Sequence, residues 1–316
     1  MHNHFNSTVA LDNIDWTFIN SLPTSIERDF PPVSVAEIAD NLKLMSNLSA
    51  PGEDHLMWRH LKLIIDSPGP QADLTLLFNR ILDESLWPTQ LKVVNSVIIP
   101  KPKKERYDVP KAFRPIALLN TMGKLLTRIL AKCLQFDGIA NDLFHPGQFG
   151  GISKHATVDV GVILVDIISQ NRDRGLHTMV LALDIAQFWP SINHNIIAML
   201  MTKLGFHCKI ISFLRTFLAD CTTSYSWDGL TSDGGFECSN GIPQGDPLSP
   251  VLSALYLALI IKHFFPWDPN NFINYLFFVD DSTLICSSFS MDDNVTLLAK
   301  CYEGLLAGLA AFGLTV

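Results

Sequence analysis

No stretch of this 316-residue chain is both long enough and apolar enough to span a bilayer: the best run, Val251 to Ile261, falls well short of the ~20 residues a membrane helix needs. The start, Met1-His-Asn-His-Phe-Asn-Ser, has no basic-then-apolar leader. Cysteine is sparse. Cys133, Cys208, Cys221, Cys238, Cys286 and Cys301 form no CxxC pair and no regular spacing, which excludes a disulfide framework and a zinc ribbon. Several lie in apolar runs, so they are expected to be reduced core residues of an intracellular protein, in nucleus or cytoplasm, that engages no membrane. Charge is scarce too, at 17% of residues, while hydrophobic residues make up 48% and supply ample core material. Neither an internal repeat nor a low-complexity segment is present.

The net charge of −8 would argue against a polyanionic partner if it were spread evenly. It is not. Between Lys92 and Lys132 ten basic residues face two acids, Glu105 and Asp108, so this segment carries +8 and the remainder −16. A basic element on an acidic body suits phosphate handling, although a solvated charged face has the same composition.

Two acidic stretches organise the rest. In Leu181-Ala-Leu-Asp184-Ile-Ala-Gln-Phe-Trp-Pro190, the apolar run Met179 to Ile185 reads as a central, buried strand ending in an acid. In Tyr275-Leu-Phe-Phe-Val-Asp280-Asp281, the aromatic run Phe272 to Val279 stops at two acids and a second strand, Thr283 to Cys286, follows; this reads as a hairpin with both carboxylates at its tip. An Asp-Asp pair in a turn is by itself ordinary turn chemistry. Three acids brought together repel, and a fold tolerates them where a cation neutralises them. Oxygen-only ligands select a hard ion such as Mg²⁺, and two such ions suit in-line nucleotidyl transfer.

Elsewhere the pattern is helical before Lys92. Ser34-Val-Ala-Glu37 is a capping box for a helix from about Val35, Asp54 is placed to cap a second helix through about Ile65, and a third is expected from about Gln71 to Glu84. Lys92 to Ile99 and Phe113 to Asn120 read as strands joined by a basic, proline-bearing loop that forms a cationic flap, with a helix capped by Thr121 following to about Gln135. His145 to Gly151 is a glycine-rich turn before an apolar helix. Helices are expected near Asn195–Leu204 and Lys209–Ala219, then a hairpin turning at Asp228-Gly229. Ser239 to Pro250 is a rigid loop, with Ser249-Pro250 as cap and first turn of a helix to His263. Asp293 is placed to cap a last helix to about Phe312, closed by Gly313, after which Leu314-Thr-Val316 reads as the beginning of a strand.

In that order the landmarks resemble those of a reverse transcriptase, most closely the non-LTR retrotransposon type, over roughly residues 45 to 316. Phe278-Val-Asp-Asp281 resembles the aromatic-x-Asp-Asp signature, Leu183-Asp-Ile-Ala-Gln-Phe-Trp-Pro-Ser191 the first aspartate motif, and Asn240-Gly-Ile-Pro-Gln-Gly-Asp-Pro-Leu-Ser-Pro250 the most specific motif; Ile99-Pro-Lys-Pro with Phe113-Arg-Pro-Ile-Ala-Leu resembles the fingers signature. The resemblance implies an α+β, right-hand polymerase whose antiparallel palm sheet packs on helices: an N-terminal extension (1–44), fingers (45–176) and a palm (177–316), with the chain stopping before the thumb. It implies RNA-templated DNA polymerisation by two-metal transfer from dNTPs to a primer 3′-OH, with an RNA template, a DNA or RNA primer and two Mg²⁺ ions for which Mn²⁺ is a substitute. The resemblance does not name protein partners. Asp184, Asp280 and Asp281 would be catalytic and metal-binding, with the backbone carbonyl of Ile185 a further ligand. Lys101, Lys103 and Arg114 would hold the triphosphate, and Trp189 would lie under the sugar, where the family usually has Phe or Tyr, and exclude a 2′-OH. Gln244 would support the new base pair, and Gly52, Gln148, Phe149, Gly150, Gly245 and Pro247 would border template and primer. A catalytically silent nucleic-acid-binding fragment, an intron maturase-like enzyme and an RNA-dependent RNA polymerase are the alternatives, the last disfavoured by the bulk of Trp189.

Overall fold

The computed structural model of the chain describes residues 14–233, 235–265 and 272–316. Residues 1–13, where the expected N-terminal extension begins, lie outside them. In chain order the helices are α1 (Trp16–Ser21), α2 (Val35–Lys43), α3 (Trp58–Ile65), α4 (Pro68–Asp83), α5 (Thr121–Ala140), α6 (Thr157–Asp173), α7 (Phe188–Ser191), α8 (His194–Lys203), α9 (Cys208–Leu218), α10 (Ser249–Phe264) and α11 (Met291–Ala311). The strands are β1 (Val93–Pro100), β2 (Phe113–Leu118), β3 (His177–Asp184), β4 (Cys221–Trp227), β5 (Leu230–Thr231), β6 (Phe236–Cys238), β7 (Ile273–Phe278) and β8 (Asp281–Ser288). They form two compact units, each discontinuous in sequence: one holds 24–134 with 201–249, the other 14–23, 135–200 and 250–316.

The first unit is built on a mixed sheet of order β2-β1-β4-β5, with β6 also paired to β4. β1 runs antiparallel to β2 and parallel to β4. The expected capping box opens α2: Ser34 Oγ accepts the Glu37 N–H at 3.2 Å, and the Glu37 carboxylate accepts the Ser34 N–H at 2.8 Å. Helix α3 starts later than the sequence suggests, because Asp54 spends its carboxylate on the Leu56 N–H within a turn (3.1 Å), while His60 Nδ1 accepts the Met57 N–H. Helix α4 starts earlier, with Pro68 at its first position, where the missing N–H costs nothing. Residues Asp228 and Gly229 take the positive φ values, 49° and 77°, of the expected two-residue hairpin turn. Ser249 does not cap α10 but lies inside it, its hydroxyl donating to the Pro243 carbonyl at 2.8 Å. Helix α9 buries Ile210, Phe213, Leu214 and Phe217 on one face, and Trp87 meets Phe213 and Phe217 edge-on, with ring centroids 5.6 and 5.2 Å away.

The second unit carries the antiparallel sheet β3-β8-β7. Strand β3, read as central and buried, is an edge with alternating exposed and half-buried residues; β8 is central, and its Leu284, Ile285 and Cys286 are fully buried. Helices α6 and α11 neighbour β3, yet none of its residues is fully buried. One face of the sheet (Leu276, Ile285) packs with Phe149 against Val160, Ile163, Leu164 and Ile167 of α6. From the other face Tyr275 Oη lies 3.3 Å from Cys301 Sγ on α11.

Ser290 rather than Asp293 caps α11, and Gly313 (φ 73°) ends it with the Leu314 N–H returning to the Leu309 carbonyl at 2.9 Å. The expected C-terminal strand does not form: Thr315 accepts a single bond, from the Ala186 N–H at 2.8 Å. All six cysteines are free; Cys286 and Cys301 are buried and Cys208 is exposed.

Candidate active site

Strand pairing in the second unit brings the three acids to one end of its sheet. Asp184, the last residue of β3, is the register partner of Asp281, the first of β8, and cross-strand partners hold their Cβ atoms ~4.5–5.5 Å apart. Phe278 pairs with the same Asp281, so Val279 and Asp280 are the two turn residues of the β7–β8 hairpin; of the two acids expected at its tip only Asp280 is there, and Asp281 begins β8. The Ile185 N–H donates to the Asp280 carbonyl at 3.1 Å, which ties the segment after Asp184 to the turn. Burial pushes the Asp281 carboxyl above the usual range, and the charge of Asp184 pushes it further.

Among the described residues these three carboxylates do not converge to the mutual spacing of a closed metal site. The donor set still fits a hard divalent ion: oxygen only, two carboxylates facing across strands, and one whose charge is already disfavoured by its neighbour. Asp184, Asp280 and Asp281 are the side chains that would hold Mg²⁺.

The hairpin turn is strained. Val279 has φ 59°, a left-handed conformation that a β-branched residue adopts at a cost of ~1–2 kcal/mol. Packing enforces it. The segment 147–150 pairs along β7, with the Phe277 N–H donating to the Gly147 carbonyl and the Phe149 N–H to the Phe277 carbonyl, both at 2.8 Å. A Cβ on Gly150 would stand 2.2 Å from the Val279 nitrogen, so only glycine lets this segment lie against the turn. Gln148 and Phe149 point inward: Gln148 is buried and donates from Nε2 to the Ala254 carbonyl at 2.7 Å, and Phe149 is in the core. These side chains fix the turn, leaving the backbone around Gly150 as the part of the expected template segment nearest the acids.

After Ile185, which is buried, Gln187 takes φ 47° and opens the short helix α7. Its two aromatics differ. Phe188 is buried to 1% exposure, whereas Trp189 is half-buried, the two ring centroids lying 6.2 Å apart. The core role belongs to Phe188 and not to Trp189.

The remaining expected site residues lie in the first unit. Arg114 is exposed on β2, paired with Ile99. The loop from Lys101 to Ala112 is closed by the Lys101 N–H donating to the Ala112 carbonyl at 2.8 Å and by Tyr107 Oη donating to the Lys101 carbonyl at 2.8 Å; Lys103, exposed, has φ 58°. Main-chain pairing of Gln244 extends this sheet edge, its carbonyl accepting the Ala117 N–H at 2.8 Å. Gly245 has φ 116° and a Cβ there would meet the Ala117 carbonyl at 2.8 Å, so β2 and the loop holding Gln244, Gly245 and Pro247 form one element. Gly52 is buried against Asn120, and its lack of a side chain serves that packing.

Sequence reasoning passed over Asp246. This fully buried carboxyl accepts the Leu248 N–H at 2.7 Å and the Thr127 hydroxyl at 3.1 Å, and burial pushes it up to about 7 despite both bonds and the nearby Lys124. The signal available was an acid between Gly245 and Pro247 in a loop otherwise made of apolar and turn residues.

A profile of the family described as "Reverse transcriptase (RNA-dependent DNA polymerase)" matches residues 99–316. Among curated proteins, the chain is 27% identical over 247 residues to the "Probable RNA-directed DNA polymerase from transposon BS" of Drosophila melanogaster, covering 76% of this chain and 26% of that protein. It is 24% identical over 290 residues to the "RNA-directed DNA polymerase from mobile element jockey" of the same species, covering 92% and 30%. A third relative is the "Transposon TX1 uncharacterized 149 kDa protein" of Xenopus laevis, 26% identical over 75% of this chain and 18% of that protein. The chain thus spans less than a third of the length of each of these relatives.

Proposed function

The chain belongs to the reverse transcriptase family, and from that premise we propose that it extends a DNA or RNA primer with dNTPs on an RNA template. The observation that carries the proposal is the pairing of Asp184 with Asp281 across β3 and β8, with Asp280 in the adjoining two-residue turn. Bound Mg²⁺, with Mn²⁺ as its substitute, would neutralise charge developing on the attacking and leaving oxygens. The protein's part is positioning: the register of two strands, locked by the Ile185-to-Asp280 bond and by the Gly150 contact, sets where the carboxylates stand. Lys101, Lys103 and Arg114 supply positive charge to the triphosphate, and the half-exposed Trp189 ring is the group that excludes a 2′-OH. Most of phosphoryl transfer is this kind of positioning and charge neutralisation.

Primer extension on poly(rA)/oligo(dT) with dTTP and Mg²⁺ tests the reading. Incorporation is expected from the chain, with a fall of at least about a thousandfold, ~4 kcal/mol, in Asp280→Ala or Asp184→Ala. Incorporation by either variant at the parent rate refutes the assignment of the acids. Template binding without any incorporation by the parent chain would instead favour a silent binding fragment.

A further inference from the structure

Outside the candidate active site, Glu27, His207 and Cys208 stand together in the first unit. Glu27 Oε1 lies 3.7 Å from His207 Nδ1, Cys208 Sγ lies 3.7 Å from the same nitrogen, and all three ligand atoms fall within 4.8 Å of one another. A tetrahedral Zn²⁺ ion with ligands at ~2.0–2.3 Å places neighbouring ligand atoms ~3.4–3.6 Å apart. Two of the three separations are therefore within a few tenths of an ångström of those edges. Among the described residues no other trio of His, Cys, Asp or Glu has such spacing.

We propose that Glu27, His207 and Cys208 form a Zn²⁺ site with three protein ligands and a fourth position left to water. Sulfur, nitrogen and oxygen in one set suit a borderline ion such as Zn²⁺ and not Mg²⁺. The ligands come from two segments held together by bonds that do not involve the ligand side chains. The Ser25 N–H donates to the Lys203 carbonyl at 2.8 Å, the Arg28 N–H to the Gly205 carbonyl at 3.0 Å, and Arg28 Nη1 to the Leu204 carbonyl at 2.6 Å, with the guanidinium 5.0 Å above the Phe206 ring. Gly205, at φ 79°, admits this approach, since a Cβ there would stand 2.4 Å from the Ile26 carbonyl oxygen. The strap 25–28 is thereby fixed on the turn 203–208 before any ion arrives, and preorganisation of this kind is what a tight site needs.

Access is open. Glu27 and Cys208 are exposed and His207 is half-buried. Binding exchanges the Cys208 thiol proton for the Zn–S bond and releases one H⁺ to solvent. His207 Nδ1 gives up the Lys209 N–H it now accepts at 3.1 Å, and Glu27 shares or releases the Cys208 N–H it accepts at 2.8 Å. Both amides sit in the first turn of α9, where water takes over. The bound ion clasps the strap to that helix.

The test is Co²⁺ and Zn²⁺ titration of the whole chain in excess Mg²⁺, with the thiolate-to-cobalt charge-transfer band as readout. One equivalent of Co²⁺ should produce the band and one equivalent of Zn²⁺ should remove it. Cys208→Ser should abolish the band, Glu27→Gln should weaken Zn²⁺ binding at least about tenfold, and Cys221→Ser should leave both unchanged. Thermal melts in chelator show that the variants are folded, which the exposure of Cys208 and Glu27 favours. A parent chain without the band, a band that survives Cys208→Ser, or one lost in Cys221→Ser overturns the site.

Discussion

Replacing Asp246 by Asn should remove a pH dependence that the wild-type chain carries inside its Gln244–Pro247 loop. The carboxyl is fully buried and held at about 7, against an ordinary value of 3.8, because desolvation outweighs the Leu248 N–H, the Thr127 hydroxyl and the charge of Lys124. Between those values the folded chain keeps a proton that the unfolded chain releases. Stability is therefore fully present below about pH 4 and falls as pH rises toward 7, by ~1.4 kcal/mol per unit. From pH 5 to pH 8 the loss is about 3 kcal/mol, or about 6 °C in Tm at ~2 °C per kcal/mol for a chain of this size. Asparagine fits the same place. Its oxygen can keep the Leu248 N–H, and its amide can donate to Thr127 Oγ1, whose own proton then goes to the Lys124 carbonyl 3.3 Å away. The assay is Tm against pH for both proteins, read as the difference between the curves so that every other titration cancels. Asp246→Asn should gain steadily on wild type between pH 5 and 7 and hold level above. Parallel curves would refute the argument, since they would show that the acid ionises in place without cost.

Trp189→Ala should raise ribonucleotide incorporation while lowering dNTP use only modestly. Because Phe188 holds the core at α7, the loss of stability should be well short of the ~3–5 kcal/mol that truncating a core aromatic costs, and a destabilised variant that still rejects rNTPs refutes the gate. Gly150→Ala should cost at least about 2 kcal/mol and reduce incorporation, because its Cβ meets the Val279 backbone at 2.2 Å; an unchanged melt would show that the hairpin turn yields freely. Converting Lys101, Lys103 and Arg114 to Glu should raise the dNTP requirement and flatten the salt dependence of template binding. If a salt titration gives the parent slope, the basic segment is only a solvated face.

Much of the site was legible along the chain because its signals are local. An aromatic run stopping at Asp280-Asp281 and resuming at once encodes a hairpin without any distant contact, although its exact turn, Val279-Asp280 with Asp281 already on β8, is one residue earlier than the two acids suggest. Ser34 with Glu37, and Asp228 with Gly229, work the same way: hydrogen bonds and backbone preferences act across three residues or fewer, so helix start and turn follow from residue type.

What the chain in order could not settle were competitions between partners. Asp54 and Asp293 are sound caps in isolation, yet Asp54 serves a turn and Ser290 takes the cap of α11; these bonds span only two and three residues, but where neighbouring groups are equally suitable residue type does not rank them. Strand order is of the same kind: Met179 to Ile185 is apolar enough for a centre strand, but β8 sits between β3 and β7 and leaves β3 at the edge with no residue fully buried. The burial of Asp246, the inward turn of Gln148 and Phe149, and the meeting of Glu27 with His207 and Cys208 depend on segments far apart in the chain. Residue type set what each of those groups could do; their long-range neighbours, through solvent exclusion and proximity, decided which of those things it does.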